Sequence, residues 1–325
     1  MAEITFKEAI NQAFDEELAR DERVFLIGED IALHGGVFGV TQGLFKKYGF
    51  ERVKQTPISE SAIIGAATGA SMLGLRPVAE IMYFDFITCA MDQVINQAAK
   101  IRYMSAGQVE LPLVIRTQAG AGRGKGAQHS QDLEAFFFHI PGIKVVIPSN
   151  AYDAKGLMKT AIRDNSPVLY IDNAFLYNTK GDVPEGEYTL PFGKAARLRE
   201  GRDLTVVAYG AIVNSCSEAL AELENEEGIT SDLLDLRTVV PLDMDAIIDS
   251  LKKTNRLLVV HEAYKKGGIG AEIAARVMEQ AFDYLDAPVM RIGEKHAPIP
   301  LAETLENVIV PGKDTIKDAC RDLLQ

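Results

Sequence analysis

Residues 24–30 read VFLIGED, a run of apolar side chains that ends at a glycine and two acids. Such a run is typical of a buried strand that carries functional groups at its carboxyl end. Strand patterns recur along the chain, and helical patterns separate them. This alternation predicts a largely parallel β-sheet covered by helices, the arrangement of an α/β domain. The further strands are expected at residues 78–83, 112–117, 144–148 and 167–172, and the helices at 59–73, 91–104 and 151–164.

A further helix is predicted at the start of the chain, between Thr5 and Arg20. Apolar side chains recur there at helical intervals, and Thr5 and Glu8 form a Thr-x-x-Glu capping box. We therefore expect a helix to open the first domain.

The character of the sequence changes between Asn178 and Arg202, where glycine, proline and charged residues crowd together without a helical pattern. The alternation of strand and helix patterns resumes after this segment. We therefore predict two three-layer α/β domains, at residues 1–185 and 201–325, joined by a linker at 186–200. The elements expected in the second domain lie at 204–209, 215–223, 231–236, 245–251, 256–262, 270–280, 288–292 and 314–324.

The composition excludes several classes of protein. The 325 residues are 47% hydrophobic and 25% charged, as in a globular chain of about two domains. A net charge of −12 disfavours nucleic-acid binding, which needs phosphate neutralisation. No apolar stretch reaches the roughly 18 residues of a membrane span, and the first residues lack a secretory pattern. We therefore expect a cytoplasmic protein without membrane contact, whose partners are proteins or small molecules.

The three cysteines, Cys89, Cys216 and Cys320, lie far apart in sequence and form no metal-binding spacing. They are interpreted as reduced thiols. Cys89 stands in an apolar run, where a free cysteine usually acts as a small hydrophobic side chain.

Two glycine-rich stretches invite comparison with phosphate-binding loops. Residues 120–126 read GAGRGKG and follow a predicted strand, but they match neither the Rossmann nor the Walker pattern. They form either a phosphate cradle or a flexible loop that lines a cleft. Residues 267–270 read GGIG before a predicted helix, and a tight turn is the alternative there.

Three polar side chains are candidates for acid–base chemistry. His129 stands among polar residues after the first glycine stretch, where it either exchanges protons near neutral pH or only holds structure. Glu60 begins a helix that is almost free of charge, so we expect it to be partly buried and to need a partner that shares a proton. It also suits the helix dipole. Glu29, at the end of the first strand, is either a ligand-binding acid or a turn residue.

Six segments of the chain together resemble one family, the beta subunit of the thiamine-diphosphate-dependent decarboxylase component of 2-oxo acid and acetoin dehydrogenase complexes. This family lies within the transketolase-like superfamily. The resemblance covers nearly the whole chain, in order and with similar spacings. It implies a pyrimidine-binding domain followed by a transketolase carboxyl-terminal-like domain. The segments are GED at 28–30, TPISE at 56–60, DQVINQ at 92–97, AQHSQ at 127–131, DAKGL at 153–157 and DLRT at 235–238.

The resemblance also implies roles for individual residues. Glu60 would bind the ring nitrogen N1′ of the cofactor's aminopyrimidine. His129 would stabilise or protonate intermediates, or help to acylate the lipoyl group. Phe86 corresponds to the aromatic residue that stacks on the pyrimidine, Ile58 to an apolar contact with the cofactor, and Glu29 to an acid in the same pocket.

A structural potassium site is implied as well. In the family, backbone carbonyl groups bind this ion, and they correspond here to Leu113, Ala161, Ile162 and Asp164. Ser166 stands where the family usually has asparagine, so this sequence departs from the pattern at one position.

This chain lacks the segment that binds magnesium in the superfamily. The superfamily holds magnesium and the diphosphate through a Gly-Asp-Gly segment, and this chain contains none. The resemblance therefore implies an alpha subunit that binds both, in an α2β2 heterotetramer with an active site between the subunits. The small-residue helix after Glu60 would serve this assembly or internal packing. A lipoyl-bearing acyltransferase core is the further partner.

The function implied is that of an oxidoreductase subunit. With its alpha subunit the chain would cleave a C–C bond of acetoin or of a 2-oxo acid such as pyruvate, and reductively acylate lipoyl groups. The acetoin branch is slightly favoured. The alternatives are a branched-chain 2-oxo acid dehydrogenase beta subunit, a self-sufficient transketolase-like transferase and a noncatalytic docking scaffold.

Overall fold

A computed structural model describes residues 1–325, which divide into two compact units. Unit 1 comprises Met1–Ala119 and Phe136–Phe192, and unit 2 comprises Gly120–Ala135 and Gly193–Gln325. Both are α/β units with mostly parallel sheets, so the predicted fold class is confirmed. No helix is long and apolar enough to cross a membrane.

The elements up to residue 192 are strands, α-helices and short helical segments of other types. The strands are β1 (Ala2–Thr5), β2 (Val24–Glu29), β3 (Val53–Thr56), β4 (Arg76–Ile81), β5 (Val114–Ala119), β6 (Lys144–Val146), β7 (Val168–Asn173) and β8 (Lys180–Val183). The helices are α1 (Phe6–Arg20), α2 (Leu44–Tyr48), α3 (Glu60–Met72), α4 (Ala99–Met104), α5 (Glu134–Phe138) and α6 (Ala151–Arg163). Two 3₁₀ segments, Phe84–Ala90 and Ala174–Leu176, and a π-helical segment, Gln93–Ala98, complete the set.

The main sheet of unit 1 contains the strands β6-β7-β5-β4-β2-β3 in this order, all parallel. Strand β2 lies between β3 and β4, so the chain crosses from one side of β2 to the other after β3. A topological switch point therefore lies at β2. A small antiparallel pair of β1 and β8 stands apart from this sheet.

Helix α1 forms as its sequence predicts. Thr5 Oγ1 accepts a hydrogen bond from Glu8 N at 3.3 Å, and Glu8 Oε2 accepts one from Thr5 N at 2.8 Å, so the capping box is present. The apolar side of α1 is buried, and α1 packs against α6. Buried Glu17 pairs there with Arg163, and Lys159 of α6 pairs with Glu16.

The helix expected at 91–104 is present, but part of it is π-helical, from Gln93 to Ala98. Gly65 of α3 allows the Gln93 side chain of this segment to lie close to α3, because a Cβ at Gly65 would lie 3.1 Å from Gln93 Oε1.

The expectation that Cys89 acts as a core side chain is wrong, since Cys89 is exposed. In its 3₁₀ segment the buried apolar positions are three residues apart, which turns Cys89 outward.

The segment expected to link the domains has structure of its own. The Tyr188 ring stacks on Tyr152 with centroids 4.8 Å apart, and Leu190 O accepts a hydrogen bond from Thr160 Oγ1 at 2.7 Å. Residues from 196 onward form β9 (Ala196–Arg199) of unit 2. The residues between these contacts, 191–195, are the connection.

The strands of unit 2 besides β9 are β10 (Leu204–Ala208), β11 (Ser231–Asp235), β12 (Thr238–Val240), β13 (Leu257–Tyr264) and β14 (Met290–Glu294). Its helices are α7 (Ile212–Glu227), α8 (Met244–Thr254), α9 (Ile269–Ala281), α10 (Glu303–Ile309) and α11 (Lys313–Leu324), with a 3₁₀ turn at Phe282–Tyr284. Five of the strands form a sheet in the order β14-β13-β10-β11-β9, parallel except for β9. One apolar core of the unit lies between this sheet and helices α7 and α11.

Candidate active site

Four of the predicted site residues follow the carboxyl ends of three neighbouring strands in unit 1. Glu29 is the last residue of β2. Ile58 and Glu60 follow β3, and Phe86 follows β4. These strands adjoin the switch point, where open α/β sheets bind their ligands. The fold therefore gathers the four residues at the edge of the sheet where a ligand is expected.

Glu29 and Glu60 are the charged side chains of this edge. Both are half-buried, and neither forms a hydrogen bond or an ion pair through its carboxyl group. Burial raises the pKa of Glu29, and the nearby charges of Asp30 and Glu60 raise it further. Facing carboxyl groups without a cation are stabilised by a proton or by a hydrogen-bond donor. The edge therefore favours a ligand that donates hydrogen bonds or exchanges a proton.

Apolar groups accompany these acids. Ile58 is 74% exposed, although its side chain is a branched aliphatic one. The half-buried Phe86 ring lies edge-on to Tyr83, with centroids 5.6 Å apart, and Tyr83 contacts Phe38 at 5.5 Å. An exposed aliphatic group and an aromatic ring provide a surface on which a flat heterocycle can pack.

A buried ion-pair network, which no motif in the sequence indicates, lies next to this edge. Arg116 of β5 donates hydrogen bonds to Glu80 of β4 and to Asp172 of β7. It also donates to the Tyr177 hydroxyl at 2.7 Å, which in turn donates to Asp172 at 2.7 Å. Burial by itself would lower the pKa of Arg116, but the charges of its partners raise it well above its usual value. Gly28 touches this network, since a Cβ there would lie 2.9 Å from the Glu80 carbonyl oxygen.

His129 lies in unit 2, in the segment of residues 120–135, and its side chain is half-buried. The glycine stretch before it folds around two acids of the same unit. Gly122 N and Gly124 N donate to the Glu306 carboxylate at 2.7 and 3.1 Å, and Ala121 N donates to Glu262 Oε1 at 3.2 Å. Three N–H groups of the stretch are thus occupied by the chain's own carboxylates and do not face an open phosphate site.

Three acids of unit 2, Glu134, Glu262 and Glu306, act electrostatically on a fourth, Glu294. Glu134 accepts a hydrogen bond from the Tyr209 hydroxyl at 2.8 Å. Glu294 is 1% exposed, and neither of its carboxyl oxygens has a hydrogen-bond partner. Burial first, and then the charges of the other three acids, raise the pKa of Glu294 to about 9. Glu294 therefore carries a proton at neutral pH.

The substitution Glu294→Gln is expected to stabilise the protein at alkaline pH. Because folding raises the pKa of Glu294, its contribution to stability is complete below about pH 4.5 and is lost as the pH rises through about 9. Within this window the free energy of unfolding falls by at most about 1.4 kcal/mol per pH unit. A glutamine side chain does not titrate, so the Tm advantage of the variant should grow between pH 5 and pH 8 in thermal unfolding. The control is Glu303→Gln at an exposed site, and a Tm difference independent of pH would contradict the prediction.

The second glycine stretch, at 267–270, has a packing role. A Cβ at Gly268 would lie 2.6 Å from the His261 ring, and one at Gly270 would lie 3.0 Å from it. His261 Nδ1 contacts Ala263 O at 2.9 Å, and burial lowers the pKa of His261 to about 4. These glycines are therefore required to enclose a buried, neutral histidine.

The carbonyl groups expected to bind potassium already accept hydrogen bonds. Ile162 O and Asp164 O accept from the Arg76 guanidinium at 2.8 and 3.1 Å, and Leu113 O accepts from Val168 N at 2.9 Å. A carbonyl oxygen has a second lone pair, so these hydrogen bonds do not decide whether a cation binds, and potassium binding stays a prediction. No group of three or more His, Cys, Asp or Glu side chains is arranged to hold a metal ion.

Comparisons with known proteins agree with the two-unit architecture. The model of the transketolase pyrimidine-binding domain matches residues 2–174, and that of the transketolase C-terminal domain matches residues 193–316. Among solved structures, a split-gene transketolase described as an inactive beta4 tetramer has a TM-score of 0.81 at 22% identity, over 99% of this chain and 98% of that one. Transketolase from Leishmania mexicana has a TM-score of 0.73 at 14% identity, over 100% of this chain and 46% of that one. The fold is therefore transketolase-like.

Two relatives are nearly half identical to the chain. The mitochondrial pyruvate dehydrogenase E1 component subunit beta of Dictyostelium discoideum is 47% identical, over 99% of this chain and 92% of that protein. The acetoin:2,6-dichlorophenolindophenol oxidoreductase subunit beta of Bacillus subtilis is 48% identical, over 99% of this chain and 97% of that protein. The chain belongs to the family of transketolase-like beta subunits that includes these two proteins, as the six sequence segments implied.

Proposed function

We propose that the chain is the beta subunit of a thiamine-diphosphate-dependent enzyme that cleaves a C–C bond of acetoin or of a 2-oxo acid such as pyruvate. The acyl fragment passes to a lipoyl group of an acyltransferase. The observation that carries the proposal is the pair Glu29 and Glu60, which has no cation partner and lies at the switch point of the sheet. The identities of 47% and 48% to pyruvate and acetoin enzymes support it. A cytoplasmic location stays a prediction.

The residues at the sheet edge fit an aminopyrimidine ring. Such a ring presents a ring nitrogen and an amino group at its edge, which suits the two carboxyl groups of Glu29 and Glu60. Phe86 and Ile58 offer apolar surface to its faces. When bound, the cofactor supplies a nucleophilic carbon that adds to the carbonyl group of the substrate.

Glu60 is the proposed acid–base residue of this chain. Its carboxyl group holds a proton toward the pyrimidine ring nitrogen and shares it there, which makes the amino group of the ring a stronger base. Glu29 lies at the same edge, where burial and the charges of Asp30 and Glu60 raise the pKa of Glu29. Apolar contacts at Phe86 and Ile58 hold the ring in the orientation that this proton sharing needs.

The alpha subunit is proposed to hold magnesium and the diphosphate, because this chain has no Gly-Asp-Gly segment and its relatives are named as beta subunits. We place α3 in the contact between subunits of an α2β2 heterotetramer. Ala62, Ala66 and Gly69 are exposed on α3, and Leu73, just after it, is 86% exposed. Small exposed side chains allow another helix to approach closely.

The substitution Ala66→Arg is expected to weaken association with the alpha subunit at least tenfold, because the long charged side chain occupies the face that the partner needs. Gly69→Ala should still assemble, because alanine is also a small side chain. A Cβ there meets no atom of this chain within 4 Å, so the variant should stabilise the isolated chain by up to about 1 kcal/mol. Sedimentation of the two subunits measures the association. Ser217→Arg, at an exposed site on α7, is the charge control, and parental assembly of Ala66→Arg would remove α3 from the contact.

The substitution His129→Gln is expected to reduce transfer to the lipoyl group by about 100-fold, as for loss of a general acid or base. Reduction of an artificial dye acceptor should fall much less, because it bypasses the lipoyl group. The two assays are run on the same reconstituted enzyme, with His34→Gln at an exposed site as the control. Equal losses in both assays would assign His129 to an earlier step.

The substrate is tested directly. The chain is co-purified with its alpha subunit, and acetoin, pyruvate and 3-methyl-2-oxobutanoate are compared in a thiamine-diphosphate-dependent assay. We expect acetoin to have the highest kcat/KM. Preference for the branched substrate would favour the branched-chain alternative.

A noncatalytic scaffold is the second candidate, and one surface favours it. An exposed apolar groove of about 510 Å³ lies beside α9, lined by Met278, Phe282 and Pro288 among others, and suits a docking partner. A reconstituted complex that binds the acyltransferase but not thiamine diphosphate would favour the scaffold.

A further inference from the structure

A basic cavity lies at the carboxyl ends of two neighbouring strands of unit 2, β13 and β14. Its volume of about 520 Å³ is in the range of cavities that hold small molecules. None of its lining residues has a role in the proposed function. They are Lys265, Lys266, Arg291, Gly293, Glu294, Lys295 and His296.

Four of the lining side chains are cations, and none of them forms an ion pair. Arg291 Nη1 donates only to the Lys265 carbonyl oxygen, at 3.2 Å. Elsewhere in unit 2, cations such as Lys313 and Lys317 pair with acids. The chain has 46 acidic and 34 basic residues, so a cluster of cations without acidic partners is unexpected in it. Their mutual repulsion is relieved when an anion binds among them.

The single acid of the cavity does not neutralise these cations. Glu294 is buried, its carboxyl oxygens have no hydrogen-bond partner, and its raised pKa of about 9 keeps it protonated at neutral pH. The four cations therefore have no ion-pair partner among the residues that line the cavity.

The backbone around the cavity also suits an anion. Strands β13 and β14 are parallel, with Tyr264 opposite Glu294, so their carboxyl ends open at the same edge. The turn that carries Lys265 and Lys266 leads into α9, whose first N–H groups receive no side-chain cap. The positive end of a helix dipole thus begins near the cations. His296 is held edge-on against Tyr264, with ring centroids 5.9 Å apart.

We propose that this cavity binds a phosphorylated small molecule that carries at least two negative charges. The planar fork of Arg291 pairs with two phosphate oxygens, and the lysines supply mobile charges that adapt to a second phosphate or carboxylate. The site goes beyond the proposed function, because the diphosphate of the cofactor is assigned there to the alpha subunit.

The test uses the α2β2 enzyme, saturated with thiamine diphosphate and freed of unbound magnesium, so that the catalytic sites are already filled. Isothermal titration measures the binding of pyrophosphate and of citrate. We expect pyrophosphate to bind with a Kd below about 1 mM, more tightly than citrate, and Lys265→Gln/Arg291→Gln to weaken it at least tenfold. Lys194→Gln, an exposed lysine of unit 2 outside the cavity, should bind as the parent does.

Three outcomes would overturn the proposal. Pyrophosphate binding unchanged in the double variant would place the anion elsewhere. Citrate binding as tight as pyrophosphate would reject phosphate as the chemistry recognised. Absence of binding by either probe below about 10 mM would reject a small anionic ligand and leave an acidic protein segment as the occupant. Turnover of the double variant without added anion should match the parent, which separates this test from that of the proposed function.

Discussion

Glu60→Gln is expected to reduce turnover of the reconstituted α2β2 enzyme by about 10²- to 10⁴-fold, the range for loss of a positioned acid–base group. Glutamine keeps the size of the side chain and its ability to form hydrogen bonds, but it cannot share a proton with the pyrimidine ring nitrogen. The relevant measurement is exchange of the cofactor's C2 proton in D2O, because it reports the proton step without the substrate. Exchange should fall with turnover.

The control for this variant is matched in chemistry. Glu51→Gln makes the same change before the other end of β3, at a side chain that is 89% exposed, and should leave turnover unchanged. Assembly with the alpha subunit should also be unchanged in Glu60→Gln, since glutamine keeps the size of the side chain and its ability to form hydrogen bonds. C2 exchange at the parental rate in Glu60→Gln would remove this residue from the mechanism.

The predictable part of the site depends on strand ends. Glu29 follows an uninterrupted apolar run, and Glu60 begins a helix without charged neighbours, so local patterns are enough to place both. Their proximity depends on the order β4-β2-β3, which arises from long-range pairing. Local periodicity does not report that order.

Other features depend on contacts that no local pattern contains. Residues 120–135 belong to unit 2 because their N–H groups bind Glu262 and Glu306, which are more than a hundred residues away in sequence. Cys89 is exposed because its segment winds as a 3₁₀ helix, whereas an apolar run in sequence suggests only burial. Arg116 stands in a strand whose charged and polar residues are all buried, and charge within such a strand was the signal that could have revealed a network.

Arg116→Met is expected to lower the free energy of unfolding by about 3–5 kcal/mol, because it leaves two buried carboxyl groups without their cation. Glu80 and Asp172 are 8% and 1% exposed, so water cannot replace the guanidinium. Activity should fall as well, because Gly28 packs directly on Glu80 and fixes the end of β2 where Glu29 lies. Urea unfolding, followed by circular dichroism, measures the loss.

The matched control removes a cation from an ion pair at the surface. Its comparison with Arg116→Met measures how much burial adds to the loss of stability. Lys47 pairs with Asp15 at 2.6 Å but is 56% exposed, so Lys47→Met should lower the free energy of unfolding by less than about 1 kcal/mol.

Burial already raises the pKa of Glu80, and removing Arg116 takes away the charge that opposes this rise. Glu80 then binds a proton on folding, so the deficit of Arg116→Met should be smaller at pH 5 than at pH 8. Glu80→Gln in the Arg116→Met background should recover part of the lost stability, because it removes one of the two buried carboxyl groups that have no cation. A deficit as small as that of Lys47→Met, or one that does not change with pH, would show that the network does not hold the sheet edge together.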